Sequence, residues 1–107
     1  MPRWLTRLLR RIHELAGRGQ VRFTLKAIRE LAAVGAGLDA QDGCDVLVGL
    51  TADEFAQRFK SESTGEWMYV FKPSVAGTTV YLKLILRPGC LVVSFHEDEG
   101  EFDEEPS

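Results

Sequence analysis

The chain has 107 residues, 45% of them hydrophobic and 27% charged, which is the make-up of one small domain that buries a core without staples. No apolar run nears the length of a membrane span, and Cys44 and Cys90 have no close cysteine partner, so a bilayer protein, a disulfide framework and a zinc site are not expected. The formal charge of −3 averages two opposite regions: seven of the sixteen acids lie at or beyond Glu97, which leaves a body of formal +4, and such a body suits a polyanionic partner.

Pro2 can start a helix, and Trp4, Leu5, Leu8, Leu9, Ile12, Leu15 and Ala16 follow at helical spacing until Gly17 and Gly19. Residues 1–30 carry eight bases against Glu14 and Glu30, so this helix is amphipathic and arginine-rich; its plainer reading is a solvated face, and His13 within it is expected to be exposed. Residues 20–23 read as an extended link. Thr24 caps a second helix with Ala27, Ile28, Leu31 and Ala32 on one side, ended by Gly35 and Gly37. Asp42 is expected to cap a third helix that closes at Gly49. Thr51-Ala-Asp-Glu54 has the form of a capping box, which predicts a fourth short helix to about Phe59.

Beyond a polar loop at 60–65, Trp67, Tyr69 and Phe71 alternate with Met68, Val70 and Lys72 as a strand. After a break at 73–78, residues 79–96 read as a β-hairpin turning at Pro88-Gly89. Pairing apolar with apolar sets 86 opposite 91, 84 opposite 93 and 82 opposite 95. The same register puts Lys83 opposite Ser94 and Tyr81 opposite His96. Both rings are expected to lie in the open, and either ring tucked into the interior, or the pair on opposite sides of the sheet, would end a mechanism that uses both. Helices first and strands afterwards, without βαβ alternation, predict an α+β domain over residues 1–96 with an antiparallel sheet. Residues 97–107 read as an acidic, disordered tail, in which Phe102 could dock on the basic body and mask it.

Several stretches together resemble the MqsR family of bacterial toxins: Gly19-Gln-Val-Arg22, Gly37-Leu-Asp39, Cys44-Asp-Val-Leu-Val-Gly-Leu-Thr51 with Phe55, Trp67, Val80-Tyr-Leu-Lys83, and Leu91-Val-Val-Ser-Phe95. The resemblance implies a RelE-like toxin fold, short helices on a sheet, metal-independent cleavage of single-stranded mRNA in the cytoplasm, no cofactor, and inhibition by a cognate antitoxin. It places Tyr81 on the family's catalytic tyrosine. It also sets His96, Gln57 and Met68 where the best-known members have a lysine, a lysine and a glutamine.

RNA cleavage without metal uses the 2′-hydroxyl as nucleophile, so protons must be moved and charge on phosphate stabilised. An imidazole is the side chain whose ordinary titration lies nearest neutrality, so His96 suits proton transfer; Tyr81 can orient the phosphate or assist; Lys83, Arg58 and Lys60 can hold developing charge. Glu66 is a weaker candidate base. Arg22, Lys26, Lys72 and Arg87 supply cations for RNA, and Trp67 a ring for bases, although a strand aromatic more commonly packs. The competing reading is a catalytically degenerate relative that binds RNA or a partner protein without cleaving.

Overall fold

The structure is a computed structural model and describes residues 1–35 and 37–99. Among them are three α-helices and six strands, an α+β arrangement compatible with the RelE-type fold that the resemblance implies. Helix α1 (Arg3–Gly17) buries Leu5, Leu8, Leu9, Ile12, Leu15 and Ala16 along one stripe, and Arg3, Arg7, Arg10 and Arg11 are exposed. His13 is not exposed as expected. It is half-buried, and its Nε2 donates to the Leu50 carbonyl at 2.8 Å, because a carbonyl can only accept; that bond ties α1 to the backbone just before Thr51.

Strand β1 (Val21–Phe23) leads into α2 (Leu25–Val34), where the Thr24 hydroxyl accepts the Ala27 N–H at 3.0 Å as its sequence suggests. Helix α3 (Ala40–Val48) starts three residues earlier than expected. Asp39 is its cap: the Asp39 carboxylate accepts the Asp42 N–H at 3.1 Å, and the Asp42 carboxylate accepts the Asp39 N–H at 2.8 Å. Asp42 is thus the far half of a capping box, whose hydrogen bonds hold Asp39 below its ordinary value.

The expected fourth helix is replaced by a single 3₁₀ turn at Ala52–Glu54 and then β2 (Phe55–Lys60). Glu54 does accept the Thr51 N–H at 2.9 Å, but one turn satisfies that bond. From there pairing with β3 (Trp67–Phe71) wins, because it seats the Phe55 ring edge-on between Trp4 and Phe71, with centroids 5.3 and 5.5 Å away.

A short β4 (Ser74–Val75) pairs with the start of β5 (Thr78–Arg87), and β6 (Gly89–Glu97) completes a sheet ordered β1-β6-β5-β3-β2. The sheet is mixed, not antiparallel throughout, since the link at 20–23 runs parallel to β6 with Val21 beside Cys90. The helices cover one face, and Val80, Leu82, Leu84, Cys90, Val92 and Phe95 meet them in the core. Cys90 is fully buried, and burial, with the nearby Cys44 thiol adding to it, pushes its thiol up to about 12. Both thiols are free, and Cys44 is half-buried.

The hairpin keeps the expected pairs Tyr81 with His96, Leu82 with Phe95 and Lys83 with Ser94. Nearer the turn it differs. Arg87 pairs with Gly89 around Pro88, so Leu86 meets Cys90 and Leu84 meets Val92, one residue off the predicted register. A bulge at Val93 absorbs the extra residue and returns Phe95 to the core, which is why Cys90 and Val92 face inward where Leu91 and Val93 were expected.

Candidate functional site

Alternation along the strands sorts their side chains between the helix-packed face and a helix-free face. Val80, Leu82 and Leu84 go into the core, so Tyr81, Lys83 and Ile85 take the other side of β5. The pairing then adds Ser94 and His96 from β6, Val70 from β3 and Gln57 from β2. Gln57, Val70, Lys83 and Ser94 form one row across four strands. Tyr81 and His96 form the next, with Lys72 beside them on continuing the β3–β5 register.

Tyr81 and His96 stack face to face, centroids 5.0 Å apart and planes 11° from parallel. The imidazole Nδ1 lies 2.9 Å from the Glu97 carbonyl and so carries a proton to donate to it. In the neutral ring this leaves Nε2 with a bare lone pair. The expectation that both rings lie in the open fails for Tyr81, which is 5% exposed, whereas His96 is half-buried. Tyr81 is buried on the helix-free side, outside the helix-packed core, with the imidazole on its face. Its geometry suits holding the imidazole more than meeting a phosphate directly.

Lys83 shares this face, but Arg58 and Lys60 do not. Strand alternation turns them to the side of Trp67 and Tyr69. Arg58 is sandwiched there, its guanidinium carbon 3.9 Å from the Trp4 ring centroid and 4.6 Å from that of Trp67, and Lys60 Nζ stands 5.3 Å from Trp67. The helix expected through Phe59 hid this separation, since only a strand fixes opposite sides for 57 and 58. Trp67, 40% exposed, therefore flanks Arg58 and not the Tyr81–His96 pair.

The other cations are drawn into local pairs. Lys72 Nζ lies 3.3 Å from Asp98, whose N–H donates to the Thr79 carbonyl at 2.8 Å. Glu97 is the last residue of β6, so the first acid of the expected tail belongs to the sheet and the second is hydrogen-bonded to it; residues 100–107, Phe102 among them, lie outside the described residues. Lys26 pairs with Glu30 at 2.9 Å and donates to the Ser94 hydroxyl at 3.1 Å, while Glu30 accepts the Phe95 N–H at 2.8 Å. Arg22 donates to the Arg87 carbonyl. The Arg87 guanidinium grips Glu66, its Nε donating to Oε2 at 2.9 Å, and holds that carboxyl below the usual range. An anion so held is a poor base, which argues against Glu66 in proton transfer.

Phe59 and Met68 went unnoticed in the sequence as members of this face. Each is half-buried, they pair with one another, and Lys83 Nζ lies 5.9 Å from the Phe59 ring centroid. Alternation from Phe55 alone would send Phe59 to the core side; the bulge at Ala56 reverses it.

Fold and face together define a small α+β domain that gathers an imidazole and amines on the helix-free side of its sheet. Comparison with known proteins gives that class its family. Residues 6–97 match the family model described as motility quorum-sensing regulator, toxin of MqsA. A relative from Escherichia coli (strain K12), named mRNA interferase toxin MqsR, is 34% identical over 90 residues, covering 83% of this chain and 90% of the relative. The chain belongs to the MqsR toxin family.

Proposed function

We propose that this chain is the toxin of a toxin–antitoxin pair and cleaves single-stranded mRNA in the cytoplasm without a metal ion, under the restraint of a cognate antitoxin. Family membership supports the toxin role, and the printed name of the Escherichia coli relative supports RNA as the substrate. The observation that carries the chemistry is the His96 ring, stacked on Tyr81 and fixed through Nδ1, so that Nε2 is the atom ready for a proton.

In this reading Nε2 takes the proton of the ribose 2′-hydroxyl as that oxygen attacks phosphorus. The phosphorus–O5′ bond breaks, and the leaving oxygen takes up a proton from solvent, leaving a 2′,3′-cyclic phosphate and a 5′-hydroxyl. Lys83, one row away, opposes charge on the phosphate oxygens, and Tyr81 holds the imidazole plane. Lys26, Lys72, Arg22 and Arg87 border the face and attract the polyanion. Purified protein in excess chelator should cut RNA to cyclic-phosphate ends, and His96→Ala should slow cutting about 10²- to 10⁴-fold with an unchanged melting temperature. Intact RNA under these conditions would overturn the reading.

One observation favours the alternative of a relative that binds without cutting. Gln57 and Met68 are neutral, and the cations next to Gln57 in sequence, Arg58 and Lys60, are stacked on the other face, so neither replaces a lysine there. That reading predicts RNA affinity indifferent to His96→Ala, and no growth arrest on induction.

A further inference from the structure

The helix-free face carries an apolar strip beside its reactive rows. Phe59 on β2 and Met68 on β3 lie side by side in register, half-buried and outside the helix-packed core. Val70 and Ile85, both nearly solvent-free, border them on the same face. Lys83 connects the strip to the reactive rows: it pairs with Val70, neighbours Tyr81 two residues along β5, and brings its Nζ to 5.9 Å from the Phe59 ring centroid. Glu66, which continues the face beyond Met68, pairs with Arg87.

A half-exposed aromatic ring next to an ammonium group matches the two needs of a single-stranded nucleic acid, a flat surface for a base and a cation for the adjoining phosphate. We propose that Phe59, supported by Met68, is a stacking platform for one base of the bound RNA, with Lys83 holding the phosphate next to it. The proposal rests on the ribonuclease reading and deepens it by assigning a base subsite. The strip lies two rows from Tyr81 and His96, roughly 14 Å along the strands, and Phe59 is offset from Tyr81 by two further strands, roughly 10 Å across the sheet. The platform therefore serves a nucleotide flanking the cut and not the sugar that is attacked. Phe59 has no hydrogen-bonding group, so the subsite reads the area of the base more than its edge, and purines are favoured over pyrimidines.

The test uses the full chain and short single-stranded RNAs that are 2′-O-methylated at every sugar, which blocks cleavage, with one 2-aminopurine moved through each position. Binding should quench the fluorescence strongly at one position. Phe59→Ala and Phe59→Leu should abolish that quench and weaken affinity by about fivefold to a hundredfold, while Phe59→Tyr preserves both. With cleavable RNA, Phe59→Ala should raise KM and leave kcat near the wild-type value. A quench that persists in Phe59→Leu, no position-dependent quench, or self-association of the wild type that Phe59→Ala removes would each overturn the platform. Cutting that ignores Phe59 defeats the platform and keeps the ribonuclease; stacking without cutting keeps the platform and defeats the ribonuclease.

Discussion

The Nδ1 proton of His96 is committed to the Glu97 carbonyl, and the ring is pressed flat on Tyr81, so a single residue carries both a defined tautomer and a defined plane. At the same scale, charge pairing sets how stability responds to acid. Glu66 is depressed below its ordinary 4.5 by Arg87, and Asp39 below its ordinary 3.8 by the Asp42 N–H. A depressed carboxyl contributes stability that is full above its unfolded value and is lost as pH falls through the folded one. Melting temperature measured from pH 6 to pH 3 should therefore decline in the wild type, and Glu66→Gln should flatten that decline below about pH 4.5, by little because the pair is at the surface. Cys90, pushed up to about 12 by burial, should resist a thiol-reactive dye at pH 8 in the native protein and react at once in urea. Fast labelling of both thiols in the folded chain would contradict the buried position.

Elements meet in this fold at places where small residues let backbones close up. A Cβ on Gly89 would stand 2.8 Å from the Gln20 carbonyl oxygen, the same oxygen that accepts the Cys90 N–H at 3.1 Å to align β1 with β6. Gly89→Ala should thus cost about 1–3 kcal/mol in urea unfolding, since a backbone atom cannot swing aside. Removing the Thr24 hydroxyl as Thr24→Ala should cost about 1 kcal/mol through the loss of the α2 cap. The caps at Thr24 and Gly49 and the hairpin from 79 to 96 were legible in the sequence because each signal is local. The segment from Phe55 to Lys60 was not. Its capping box argues for a helix, and the advantage of strand pairing exists only once β3 and Trp4 are in place. The β1–β6 pairing was likewise invisible, joining two segments nearly seventy residues apart.

At the scale of the molecule the charge divides by region and by face. The arginine row of α1 lies on the helix side, whereas Lys26, Lys72, Lys83 and Arg87 border the other side of the sheet, so RNA bound as proposed would not need the first helix. Charge-neutral substitutions at Arg3, Arg7 and Arg10 should leave the slope of log affinity against log salt nearly unchanged, while Lys83→Met should reduce it by roughly one unit. A fall of several units with the α1 changes would move the RNA to the helix face. The acids beyond residue 99 oppose any polyanion, so deleting residues 100–107 should tighten RNA binding at low salt, with the gain shrinking as salt rises.

Sequence by itself determined the class of fold, the family, the first three helices and the meeting of Tyr81 with His96, because caps, periodicity and cross-strand register act over a few residues. Tertiary structure alone decided which face the residues of β2 and the turn-proximal residues of β6 take. Single-residue bulges at Ala56 and Val93 invert the alternation beyond them, turning Phe59 toward Lys83 and, from β2 onward, leaving Arg58 stacked between Trp4 and Trp67. Each bulge is set by how two paired strands pack together on the core, so no pattern within one strand announces it.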